Sequence, residues 1–99
     1  MDDAYTRVRI PYDGGLEDAH ALFWKQPYAL AIRLPNGHTT LAEGSYPIGR
    51  GGVADLRLSS NSKDTLLRIK VASSINRFSL STQDGVLEVQ LERPPGFAD

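Results

Sequence analysis

The feature that most restricts the fold of this chain is a strict alternation of aliphatic side chains, repeated in short runs and closed each time by turn residues. Tyr28, Leu30, Ile32 and Leu34 stand at every second position, and Pro35-Asn36-Gly37 ends the run. Leu67, Ile69 and Val71 repeat the pattern with Leu66, Arg68 and Lys70 between them. Leu87, Val89 and Leu91 do so again after Gln83-Asp84-Gly85. A period of two sorts side chains onto the two faces of an extended strand, whereas a helix would scatter them around its axis. An Asp-Gly pair between two such runs is a hairpin signal, so the last two runs are expected to pair with each other.

The rest of the chain extends the same reading. Tyr5 to Tyr12 sets Val8 and Ile10 against Arg7 and Arg9 and is stopped by Pro11, with Asp13-Gly14-Gly15 as the following turn. From Leu16 to Lys25 two patterns overlap. Leu16, Ala19, Leu22 and Phe23 fall at helical spacing, while Ala21-Leu22-Phe23-Trp24 has the composition of a short buried strand, favoured for the second half of the segment. His38 to Ala42 is expected to add a short edge strand, and the alternative function for the chain is a protein–protein interaction module in which that edge adds to a partner's sheet. Ser45 to Gly52 is read as a glycine-rich central turn that delivers a strand from Val53 to Ser59, with Leu56 and Leu58 inward and Asp55 and Arg57 outward. Phe78 and Leu80 share one face of a strand from Arg77 to Thr82. In each half a strand, a polar turn and an alternating strand follow in the same order, so two similar halves are expected to meet at the central turn. Seven or eight short strands without a long helical stretch predict an all-β fold, a small antiparallel β-sandwich of two sheets spanning residues 5–92, with 93–99 as a linker or frayed tail.

Composition narrows the classes of function. A chain of 99 residues is the size of one domain and buries enough surface for a core without staples. Eleven basic and twelve acidic residues give a net charge of −1, so no global field draws it to nucleic acid. No apolar stretch is long enough to insert into a membrane, and the absence of cysteine removes disulfides, thiolate metal sites and cysteine nucleophiles. His20 and His38 are the only histidines and have no acidic partner at ligand spacing, so no metal or other cofactor is expected. No serine has a base and an orienting acid at recognisable spacing, and Gly49-Arg50-Gly51-Gly52 lacks the lysine and following helix of a phosphate loop. A non-catalytic chain is expected.

The order Pro27-x-x-Leu30-x-Ile32-x-Leu34-Pro35, Gly49-x-Gly51-Gly52-Val53, Leu56-Arg57-Leu58, Asp64-Thr65-x-Leu67-x-Ile69-x-Val71 and Phe78 through Gly85-x-Leu87-x-Val89-x-Leu91 resembles the AMIN domain. The likeness covers about residues 6 to 91. It differs from the family's pattern at Arg33, Leu66 and Lys70, where the family often carries Asp, Arg, and acidic or neutral residues respectively. The resemblance implies a non-catalytic module that binds peptidoglycan and localises a larger periplasmic protein, of amidase or type IV pilus secretin type, with other envelope or pilus-assembly proteins as further partners. It places the domain in the periplasm, with a signal peptide upstream of Met1. Tyr46-Pro47-Ile48-Gly49-Arg50, followed by Ala54 to Leu58 and Ser62, also looks like the start of a forkhead-associated domain, which would imply phosphothreonine binding; Thr65 stands where that family has His.

The candidate ligand-binding residues follow from the faces. Arg33, Arg57, Arg68 and Lys70 all point away from the expected core, and Arg50 sits in the central turn. Guanidinium forks suit carboxylates and phosphates, and Trp24 and Tyr46 offer aromatic faces on which a sugar ring can stack. The simpler role for the charges is to keep a sheet face soluble and to pair with Asp55, Glu88 and Glu92.

Overall fold

The computed structural model of the chain describes residues 5–25, 28–50, 52–60, 63–72 and 77–92. Eight strands run through them: β1 Tyr5–Pro11, β2 His20–Lys25, β3 Tyr28–Pro35, β4 Gly44–Arg50, β5 Val53–Ser60, β6 Asp64–Val71, β7 Phe78–Gln83 and β8 Val86–Glu92. All pairing is antiparallel, in a three-stranded sheet of order β1-β8-β7 and a five-stranded sheet of order β2-β3-β6-β5-β4. The all-β sandwich expected from the alternation is the observed architecture. The ambiguous segment resolves as a strand over β2, preceded by irregular chain.

Register explains the core. Across the five-stranded sheet, Phe23, Leu30, Ile69, Leu56 and Tyr46 fall in one row, and Ala21, Ile32, Leu67 and Leu58 in the next. Across the other sheet, Val8 and Leu80 flank Val89, and Ile10 faces Leu87. These two inner faces close on each other as one apolar cluster. Val53 and Leu56 both belong to it although their spacing is odd; the register shifts between Val53 and Asp55, and the extra residue restores the face.

Three expectations need correction. His38 to Ala42 is not a strand: only His38 pairs, in an isolated bridge with Asp13. The edge strand is instead β4, made of most of the segment read as a central turn. Gly49 adopts a φ of +67° and the register shifts between Pro47 and Arg50, so the chain bulges and keeps pairing with β5 rather than turning away. The halves are also not alike. The first gives β1 to the small sheet and β2 to β4 to the large one, while the second gives two strands to each. Tyr28, an alternating apolar position, is 37% exposed at the end of β3, where its ring stacks on Phe23 at 6.2 Å.

The two sheets are tied at one end by the turn after β3. Gly37 N–H donates to the Leu34 carbonyl at 3.2 Å, and Asn36 between them has a φ of +61°, as a type II turn with Pro35 in its second position requires. Asp13 and His38 exchange backbone hydrogen bonds of 2.7 and 2.8 Å, and the Thr39 hydroxyl donates to the Pro11 carbonyl. The buried Tyr12 ring lies against Gly37 while its hydroxyl donates to the Gly15 carbonyl at 3.1 Å. Burial, and secondarily the Asp13 carboxylate, raise the Tyr12 phenol above its ordinary value of 10.0. The fold therefore favours the neutral phenol, and this contribution is complete below the unfolded-state value and lost as pH climbs through the folded one. Above about pH 10 the native chain is expected to lose stability faster than Tyr12→Phe. Urea titrations of both at stepped alkaline pH check this, and parallel pH curves would refute it.

Candidate functional site

The outer face of the five-stranded sheet collects the side chains that the core rejects. Its middle row, read across β2, β3, β6, β5 and β4, is Leu22, Ala31, Arg68, Arg57 and Ser45. On one side lies the row Trp24, Ala29, Lys70, Asp55 and Pro47, and on the other His20, Arg33, Leu66 and Ser59. The small side chain of Ala31 leaves β3 low between taller neighbours. A hollow of about 610 Å³ results, with Leu22, Trp24, Ala31 and Leu66 as apolar lining and Arg33, Arg57 and Arg68 among its walls.

The cations on this face are not equivalent. Arg33 is engaged: its Nε and Nη2 lie 3.0 and 2.9 Å from the same oxygen of Asp64, whose side chain is nearly buried. Lys70 stands opposite Asp55 in the register. Arg57 and Arg68, however, face each other directly across β5 and β6, an arrangement that like charges disfavour. Arg57 reaches only the Ser45 hydroxyl, at 3.3 Å, and the Arg68 guanidinium sits 5.9 Å from the centre of the Trp24 ring, within cation–π range. Among the described residues neither forms an ion pair. Two adjacent guanidinium groups near an aromatic face and an apolar floor have the chemistry to hold an anion carrying an apolar or ring-shaped body.

The other outer face is different. A hollow of about 320 Å³ there is lined by Arg9, Ser81, Gln83, Asp84, Val86 and Glu88, and Arg9 is neutralised by Glu88 at 2.7 Å. That hollow is polar and carries a net charge of −1, from Arg9 against Asp84 and Glu88.

Of the residues singled out from sequence, Trp24, Arg33, Arg57, Arg68 and Lys70 share the outer face of the large sheet. Tyr46 does not. It stands opposite Leu56 on the core-facing side of β4, packs against the core and donates its hydroxyl to the Ala42 carbonyl. The expected turn is a strand at this point, and its pairing with β5 sets the Tyr46 ring on the core side. Arg50 ends β4 opposite Val53, but its side chain lies outside the described residues, as does Ser62. Sequence reading missed Leu22, which is 65% exposed and is the most exposed large apolar residue of those described. Both parities of His20–Lys25 carry apolar side chains, so alternation marks no outer face there; parity with Trp24 was the usable signal. Asp64 was also missed as the partner of Arg33, because their contact depends on β3 pairing with β6.

Comparison of the chain with protein-family models, with characterised proteins and with solved structures finds no match.

Proposed function

We propose that this chain is a non-catalytic binding module that holds a larger envelope protein on peptidoglycan through the outer face of the five-stranded sheet. The observation that carries the reading is the opposed pair Arg57 and Arg68, the latter beside Trp24, two cations that form no ion pair among the described residues, at the edge of an apolar hollow. Peptidoglycan presents both matching parts: stem-peptide carboxylates for the guanidinium forks and sugar rings for the indole. The AMIN-like strand pattern of the sequence supports the same ligand, and with it a periplasmic setting.

Co-sedimentation with purified sacculi tests this. The native chain is expected to be retained, less so as salt screens the exposed charges. Charge-assisted hydrogen bonds contribute about 1.5–3 kcal/mol each, so Arg57→Glu with Arg68→Glu is expected to weaken retention by at least about tenfold. Trp24→Ala is expected to weaken it with little change in salt dependence. Retention of the native chain no greater than that of an unrelated β-sandwich at both low and moderate salt would overturn the proposal.

A further inference from the structure

The sandwich has four edges, and they are protected unequally. β4 carries Pro47, which has no N–H to offer, and a register shift at the bulge. β1 carries outward Arg7 and Arg9 and ends in Pro11, and beyond it Tyr12 and Asp13 are already hydrogen-bonded to Gly85 and His38. β7 is lined by Ser79, Ser81, Thr82 and Gln83, which favour water. β2 is less protected, with one lysine, Lys25, at its last position. It has no proline, pairs with β3 without a register shift, and among the described strands is hydrogen-bonded to β3 alone. It also presents Leu22 and Trp24, both exposed, on one face. An unpaired, unbroken apolar edge is a template for a further strand.

Charge identifies what can occupy it. Neither β2 nor β3 contains an acidic residue, while His20, Lys25 and Arg33 do lie on them. Across β3, the Arg68 guanidinium sits 5.9 Å from the centre of the Trp24 ring, so it adds positive charge near the Trp24 end of β2. Glu17 and Asp18 precede β2 and are exposed, so the field reverses at the His20 end. An added strand is thus matched on the outer face by an apolar side chain beside Leu22 and a carboxylate beside Trp24 and Arg68, at the Lys25 end.

We propose that the free edge of β2 binds an extended acidic segment of a partner protein as a sixth strand of the large sheet, with its carboxylates at the Trp24–Lys25 end. This goes beyond the peptidoglycan reading and does not rest on it. Backbone hydrogen bonds supply the pairing, and alternate side chains of the segment reach the outer face, where Leu22 and Arg68 select them.

The test uses the whole chain and a labelled octapeptide, Thr-Val-Thr-Glu-Thr-Val-Thr-Glu, in which valine and glutamate alternate along one face and threonine fills the other. Two controls accompany it, the same peptide with lysine for glutamate and the same peptide with alternate backbone amides N-methylated. Fluorescence anisotropy is expected to show the acidic peptide binding at least about tenfold more tightly than either control. Hydrogen exchange is expected to slow at amides within His20–Lys25 and not within Phe78–Gln83. Leu22→Lys and Arg68→Glu, both at surface positions, are expected to weaken binding by a similar factor.

Equal binding of the N-methylated peptide would reduce the site to a charged patch and overturn the proposal. So would protection at β7, self-association of the chain through β2, or no binding of the acidic peptide. Sacculus retention is measured without peptide, so either proposal can fail while the other stands.

Discussion

Gly37→Ala is expected to cost about 3 kcal/mol of stability, the upper end for an overpacked buried site, and to lower the melting temperature by on the order of 15 °C. A Cβ at this position falls within 3.0 Å of the Tyr12 Oη, Cε1 and Cζ atoms, a separation that real Cβ atoms essentially never show. Neither side can yield easily. The Tyr12 ring is 4% exposed and held by its hydroxyl on the Gly15 carbonyl. The backbone at Gly37 is pinned by the Leu34 carbonyl and by the buried Thr65 hydroxyl, which donates to the Gly37 carbonyl at 2.8 Å. The strain therefore falls on the tie between the sheets, where β1 leaves one and the β3 turn leaves the other. Gly15→Ala is the control, because a Cβ there meets only the mobile end of the Glu17 side chain, at 3.3 Å. Urea denaturation is expected to separate the two variants clearly. A Gly37→Ala chain within about 0.5 kcal/mol of the native one would refute the packing of Tyr12 described above.

Leu30→Ala is expected to cost about 3–4 kcal/mol, and Leu22→Ala less than about 0.5 kcal/mol. The residues lie on neighbouring strands and differ in the face they occupy. Leu30 is fully buried on β3, in a row between Phe23 and Ile69, with strands hydrogen-bonded on both sides and the other sheet above it. Truncation leaves a cavity that these neighbours cannot close, and the lost transfer energy adds to it. Leu22 is already in water. For a chain whose total stability is of order 5–15 kcal/mol, the first change removes a large share and the second almost none. The comparison also tests the site, since a slip of one residue would exchange the two faces and turn Arg57 and Arg68 inward. Costs in the opposite order would take the outer-face site down together with the register.

The candidate site was legible to different depths. The outward placement of Arg33, Arg57, Arg68 and Lys70 followed from Leu34, Leu56, Leu58, Leu67 and Ile69 alone, because parity within one strand is a local property. That Arg57 lies opposite Arg68 was not legible, since it depends on the offset between two strands joined by a polar loop. Leu22 was hidden by a segment apolar at both parities. Tyr46 was read as a turn residue with a free ring, whereas strand pairing with β5, which composition does not reveal, turns it to the core. The edge strand was sought at His38–Ala42 for a related reason: the glycines of residues 44–52 suggest a turn unless a partner strand holds them extended.

By itself the sequence determined strand length, the facing of most side chains and the hairpin turn at Asp84-Gly85, where both residues take positive φ as a two-residue loop demands. These are consequences of steric preference and of a two-residue period, which act over a few bonds. Only the tertiary structure decided that β3 lies beside β6, that Gly37 receives the Tyr12 ring, and that two arginines share one hollow with Trp24 while β2 remains an open edge. Those facts depend on which hydrophobic faces close on each other, and that free energy belongs to the assembled sandwich rather than to any one segment.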